Sequence, residues 1–358
     1  MRVVIATGGT GGHIYPALAL ADALKKEESV DILFIGSKSR MESKVIEKHG
    51  YNFNGLDVIG TSGNILNKAN SALLMLKALF SCVKILKNFK PDIVIGFGNY
   101  ISVPVILAAK FLKIKTMIHE QNSVAGKANI MLSKHVDAIV GSYEENLKEF
   151  DNSKTRILGN PRASEAALVK KDEKLIKDLG LDINKRLVII VMGSLGSTSV
   201  NEVLQEYCLN VNNSDYQTLI VTGENQYDDF KFKGNDNIKV VAYIDGLNTM
   251  VNADLIVMRS GATTCAEVTA LGKASITIPS PYVPNNHQYI NAMTLQKSNA
   301  TRVLLENSLN YVTLDNLINE IMHDDNIRNE LSKNAYKISK VNATKDIIKW
   351  IKELIIWV

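Results

Sequence analysis

Cysteine is scarce. The three residues, Cys82, Cys208 and Cys265, have no paired spacing, which excludes a disulfide framework and a cysteine zinc site and fits a reducing cytoplasm. Seven prolines and 22 glycines in 358 residues exclude collagen-like and low-complexity chains. No Asp-x-Asp pair occurs, so no motif demands a tightly bound divalent metal, and neither a metal nor a cofactor is expected. No apolar run approaches the ~18 residues of a spanning helix. The chain enters an apolar run at 3–6 and reaches Gly8 without the segments of a signal peptide. Charge of one sign is lacking as well: 41 basic against 37 acidic residues leave +4, too little for a protein that tracks a nucleic-acid backbone.

What is present is ordinary in bulk and particular in arrangement. A length of 358 residues exceeds two typical domains of roughly 150. The first 161 residues carry 20 Lys/Arg against 14 Asp/Glu, so the basic excess belongs to that half.

Short β-branched runs recur before turn residues and then longer stretches of helical period, the rhythm of strands buried on both faces of a parallel sheet. They fall at 3–6, 32–35, 93–95, 116–119 and 138–140, and again at 187–191, 217–222, 238–242, 255–258 and 274–278. An α/β protein with two similar sheets is expected, divided near Gly159-Asn160-Pro161, where proline resists helix continuation. Domains of 1–161 and 162–340 follow. In the tail, Ile347, Ile348, Trp350, Ile351, Leu354 and Ile355 lie at helical spacing and predict an amphipathic helix that docks on a core.

In open α/β sheets ligands sit beyond the carboxyl ends of the strands, and four such loops stand out. Thr7-Gly8-Gly9-Thr10-Gly11-Gly12-His13 follows the first run and precedes a helix expected to begin near Pro16. Its amides suit a phosphate or diphosphate; a dinucleotide fingerprint read from Gly9 fails at Ile14, and a merely tight turn is the plain alternative. His13 is the loop's one group able to exchange a proton near neutral pH, with a capping role as the alternative. The second loop is 96–104, containing Gly98, Asn99, Tyr100 and Ser102, and the third is His119-Glu120-Gln121-Asn122. The fourth joins Arg259-Ser260-Gly261-Ala262-Thr263-Thr264-Cys265-Ala266-Glu267 to a segment containing His287-Gln288-Tyr289. Ser260 or Gly261 would cap a helix whose amides hold phosphate, with Glu267 placed to accept ribose hydroxyls. A further glycine loop is 193–197.

On GGTGGH at 8–13, HEQN at 119–122 and the paired 259–267 and 287–292 motifs, the chain resembles the bacterial UDP-N-acetylglucosamine:lipid I N-acetylglucosaminyltransferases of glycosyltransferase family 28. The resemblance implies a GT-B fold: two Rossmann-like domains facing across a cleft, a first domain for the acceptor, a second for UDP-GlcNAc, and a C-terminal helix (341–358) returning to the first. It implies donor contacts at Thr10, Gly11, Gly12, Asn122, Arg162, Ser194, Ile244, Ala262, Thr263, Thr264, Cys265, Ala266, Glu267 and Gln288. Acceptor contacts would be Gly98, Asn99, Tyr100 and Ser102, and His13, then Glu120, would be candidates for the base. Asn99 stands where a glycine is usual, and so does Met192. The reaction implied is inverting transfer of GlcNAc to lipid I, an undecaprenyl-pyrophosphate-linked sugar. Other readings are a diacylglycerol glycosyltransferase, a UDP-GlcNAc 2-epimerase and a non-catalytic sugar-nucleotide-binding subunit. Between Lys68 and Lys90 five lysines, no acidic residue and apolar Leu73, Leu74, Met75, Leu76, Leu79, Phe80, Val83, Ile85 and Leu86 predict a helix that can lie on an anionic membrane surface or cover the sheet with its lysines solvated. Peripheral attachment to the cytoplasmic face of the cell membrane is therefore expected.

Overall fold

The structure, a computed structural model, describes residues 1–27, 29–58, 65–193, 196–211 and 215–356. It forms two compact units: Met1–Arg162 with Asn342–Val358, and Ala163–Val341.

In the first unit the strands are β1 (Arg2–Ala6), β2 (Asp31–Ser37), β3 (Asn52–Leu56), β4 (Ile93–Gly96), β5 (Lys115–Glu120), β6 (Ala138–Gly141) and β7 (Thr155–Ile157). The helices are α1 (Gly11–Glu27), α2 (Met41–Lys48), α3 (Ile65–Phe89), α4 (Ser102–Phe111) and α5 (Lys127–Ser133), and α6 (Pro161–Ala166) runs over the join. The sheet is parallel, in the order β3-β2-β1-β4-β5-β6-β7. Helices cover both faces, which is why Val3, Val4 and Ile5 are all fully buried.

The second unit holds β8 (Arg186–Val191), β9 (Tyr216–Val221), β10 (Ile238–Val241), β11 (Leu255–Met258), β12 (Ala274–Thr277) and β13 (Arg302–Val303). Its helices are α7 (Glu173–Asp178), α8 (Thr198–Asn210), α9 (Gly246–Met250), α10 (Ala262–Ala270), α11 (His287–Lys297), α12 (Tyr311–His323) and α13 (Asp325–Ile338). The order β10-β9-β8-β11-β12-β13 is again parallel. The last helix, α14 (Ala343–Ile356), belongs to the first unit. There Ile347, Ile348, Trp350 and Ile351 join the core built by β1 and α1. Arg156 holds it from outside, its guanidinium 4.4 Å over the Trp350 ring and 2.8 Å from the Glu353 carboxylate.

The structure corrects two local expectations. Three strands carry no β-branched run and go unpredicted: β3, β7 and β13, all at sheet edges. The first helix starts at Gly11 rather than near Pro16. Half of the glycine loop is therefore helix, and Pro16 lies in its second turn without a backbone donor.

Candidate active site

In each unit the strand order reverses once, between β1 and β4 and between β8 and β11. Chain segments leaving those strands diverge and open a crevice at their carboxyl ends. In the first unit Ala6 pairs with Gly96, so the segments after them emerge together, tied by the Phe97 amide donating to the Ala6 carbonyl at 2.8 Å. Gly9 has φ +94° and Asn99 φ +62°. The second is the position usually occupied by glycine, and asparagine is among the side chains that best tolerate the left-handed region. The two residues touch: a Cβ on Gly9 would collide with the Asn99 carboxamide.

His13 sits in the first turn of α1. Its Nδ1 is 3.2 Å from Thr10 Oγ1, and its carbonyl accepts from Thr7 Oγ1 at 2.9 Å. A Cβ on Gly98 would stand 3.4 Å from His13 Nε2 and 3.5 Å from Asn129 Nδ2, so any side chain at 98 would press on the imidazole. Ser102, expected to contact acceptor, is fully buried and donates to the Gly98 carbonyl at 2.5 Å. It shapes the loop from behind. Tyr100 lies under the Arg40 guanidinium, 5.7 Å from the ring.

Glu120 is buried, and its carboxylate accepts from the Asn122 amide at 3.0 Å, the Gly126 amide at 2.9 Å and Asn129 Nδ2 at 2.8 Å. Burial raises its pKa and these donors oppose the rise. The group ties residues 121–126 to the start of α5. Asn122 is drawn into the same network, its carboxamide 3.4 Å from Glu120 and its carbonyl accepting from Asn146. His119, stacked on Phe97 at 5.1 Å, is 3.0 Å from the Gly159 carbonyl through Nε2. Burial, with the nearby His13, pushes its pKa down to about 4 against the support of the Gly159 bond. It is a neutral imidazole donating to that carbonyl. One residue on, Asn160 Oδ1 accepts the Arg162 amide at 3.0 Å, and the Arg162 guanidinium lies 5.7 Å over the Tyr15 ring.

In the second unit Val191 pairs with Met258, so the loop containing Gly193 and Gly196 leaves beside the start of α10. Gly261 occupies the N-cap position of α10 and supplies no side-chain cap, and the positive end of the helix lies there. Ser260 does not cap, correcting that alternative: its hydroxyl donates to the Gln288 carbonyl at 2.8 Å, and its carbonyl accepts from Asn291 Nδ2 at 3.0 Å. Gln288 Oε1 accepts from the Ser280 amide at 2.9 Å. Cys265 packs into the apolar core, as does Ile244, while Ala262 and Glu267 are buried near the same helix. Ser194 lies outside the described residues.

Sequence reasoning missed the groups that hold these loops. Arg259 donates to the Ile278 carbonyl at 3.0 Å and to Ser197 Oγ at 2.8 Å, and it faces Glu306 at 2.6 Å with both side chains nearly buried. The other Glu306 oxygen accepts from Ser199 at 2.7 Å. In the first unit the equivalent is Glu42, fully buried. Arg259 had a signal in its motif; the two glutamates had none. Among the described residues no group of three His, Cys, Asp or Glu could hold a metal ion.

Comparison with known proteins places this architecture. Residues 3–140 match the glycosyltransferase family 28 N-terminal domain and residues 187–351 its C-terminal domain. A UDP-N-acetylglucosamine–N-acetylmuramyl-(pentapeptide) pyrophosphoryl-undecaprenol N-acetylglucosamine transferase from Finegoldia magna is 39% identical, covering 99% of this chain and 98% of its own. The chain belongs to glycosyltransferase family 28. A family member of the same description from Bacillus licheniformis is also 39% identical, with 99% of each chain covered. The crystal structure of MurG from Acinetobacter baumannii superposes with a TM-score of 0.79 at 26% identity, covering 98% of this chain and 99% of that one. The UDP-GlcNAc 2-epimerase of Neisseria meningitidis, bound to UDP-GlcNAc, shares the fold at a TM-score of 0.68 and 14% identity, with 99% and 100% covered.

Proposed function

We propose that this family 28 glycosyltransferase moves GlcNAc from UDP-GlcNAc to the C4 hydroxyl of the muramoyl sugar of lipid I, producing lipid II for peptidoglycan. The observation that carries this reading is near-complete coverage at 39% identity by relatives named for that reaction. The second unit supports the donor role. The N-terminus of α10, whose N-cap is a glycine, suits a diphosphate, Glu267 accepts the ribose hydroxyls, Ile244 offers backbone to uracil and Gln288 meets the sugar. Thr263, Thr264 and Ala266 lie on the same helix; Thr10, Gly11, Gly12, Asn122 and Arg162 are the first unit's donor contacts.

Inversion is a single displacement. The acceptor oxygen forms a bond to the anomeric carbon as that carbon's bond to the diphosphate oxygen breaks, and a base takes the hydroxyl proton. With Nδ1–H donating to Thr10, His13 Nε2 is that base. Gly98 keeps side-chain bulk away from it, Asn99 and Tyr100 contact the acceptor, and Glu120 acts as a positioning residue. Helix-terminal amides and Arg162 offset the charge of the departing UDP.

The acceptor is a lipid, and α3 suits its surface. At 100° per residue Leu73, Leu76, Lys77, Phe80, Lys84 and Lys87 share an arc of about 100°. All six are exposed, Phe80 at 73%, while Met75, Ala78, Leu79, Cys82, Val83 and Leu86 pack on the sheet. The inner face covers the sheet; the outer face supports the membrane reading by its exposed lysines and apolar side chains. Among the described residues no helix is long and apolar enough to cross a membrane, so the proposed attachment, to an anionic leaflet on the cytoplasmic side, is peripheral.

The test is transfer of labelled GlcNAc from UDP-GlcNAc to a short-chain lipid I analogue, with UDP-Glc, UDP-GalNAc and diacylglycerol as controls. Transfer to lipid I from UDP-GlcNAc alone is expected. Transfer to diacylglycerol without transfer to lipid I would overturn the assignment.

A further inference from the structure

Glu42 is the second residue of α2, where an acidic side chain ordinarily sits solvated over the helix N-terminus. Here it is fully buried. One carboxylate oxygen accepts from the Ser37 amide at 3.0 Å and the other from the Gly9 amide at 3.3 Å. A single group thus joins the carboxyl ends of β1 and β2. Among the described residues no lysine or arginine pairs with it, so the two amides are what compensates its burial, an arrangement costly to disturb.

The surrounding glycines make room for it. Gly8 does not have positive φ, so backbone freedom does not explain it. Space does: a Cβ there would collide with the Glu42 carboxylate. A Cβ on Gly36 would stand 2.9 Å from Glu42 Cγ and from the Thr7 carbonyl. Gly9, held at φ +94° by its bond to Glu42, meets Asn99 on its other side. The loop carrying Thr10 to His13 is therefore gripped between a carboxylate and the 98–99 turn.

We propose that Glu42 is a positioning residue for the transfer reaction. It touches no substrate; it fixes the turn that sets Thr10 and His13 against Gly98, and it occupies the Gly9 amide, removing that donor from whatever anion the loop binds. The proposal rests on the functional reading above for its kinetic consequence and on geometry alone for its structural one.

The isosteric Glu42→Gln variant of the full chain tests both. Hydrogen exchange at the Gly9 and Ser37 amides should be slow in the native protein and faster in the variant, irrespective of turnover; unchanged exchange overturns the proposal. In the lipid I assay kcat should fall about 10- to 100-fold, as for a misplaced reacting group, with the KM for UDP-GlcNAc changed by a smaller factor through Thr10 and unfolding still cooperative. An unaltered kcat, or a loss carried mainly by the donor KM, overturns it too. Gly8→Ala should reduce kcat in the native background and add little in Glu42→Ala, because the carboxylate it would strike is gone; equal factors in both backgrounds count against the proposal. A native chain inactive on lipid I that still shows the exchange difference would sink the functional reading and leave the clamp standing.

Discussion

The two glycine loops occupy equivalent places, each after the central strand at a reversal of strand order, yet opposite charges hold them. In the first unit a buried carboxylate, Glu42, takes the amides of Gly9 and Ser37. In the second a guanidinium, Arg259, takes the Ser197 hydroxyl and is balanced by Glu306. The difference teaches what each loop can accept. A negative group behind the first turn disfavours a second anion close to it and suits removal of a proton from a neutral hydroxyl. The second loop, beside the N-terminus of α10 and an arginine, suits a nucleotide diphosphate.

The sharpest way to break this comparison is Arg259→Ala, which strands Glu306 without a counter-charge. A loss of about 3–5 kcal/mol is expected, measured as denaturant unfolding of the second unit; a loss no larger than for an exposed pair would make the clamp ornamental. Next is acid stability. His119 stays neutral in the fold down to about 4, whereas the unfolded chain takes its proton near the ordinary histidine value of ~6.5. Its contribution is complete above pH ~6.5, declines by up to about 3 kcal/mol as pH falls towards ~4, and levels off below. His119→Asn should flatten that segment of a Tm-against-pH curve.

Smaller effects sharpen the assignment of roles. Glu267→Ala should raise the UDP-GlcNAc KM roughly 10- to 100-fold, the equivalent of about 1.5–3 kcal/mol of charge-assisted bonding, with acceptor KM unmoved. Isothermal titration of UDP would check it independently of turnover. Last, replacing Lys77, Lys84 and Lys87 by Glu should weaken binding to anionic vesicles by about 1 kcal/mol or more per site; undiminished cosedimentation would leave α3 with only its inner face employed.

The sequence made the interior strands legible because burial on both faces demands continuous β-branched runs, as in Val3-Val4-Ile5. Edge strands escape that demand. β3 is Asn-Phe-Asn-Gly-Leu, alternating polar and apolar because one face meets solvent, and β13 is only Arg302-Val303. The loops announced themselves through glycine density; their clamps did not. Glu42 lies 33 residues from Gly9 in the chain, and a single glutamate near a helix start looks like any solvated one. Glu120 was visible as a polar residue after a strand, but its four donors were not.

The docking of α14 on α1 and β1 sets an order of events during synthesis. The first unit is interrupted by residues 163–341 and completed by a helix made after them. A nascent chain therefore completes the second sheet while the first still shows the bare apolar surface that Ile347, Ile348, Trp350 and Ile351 will cover. A chain cut just before residue 343 would leave that wall of the first unit open.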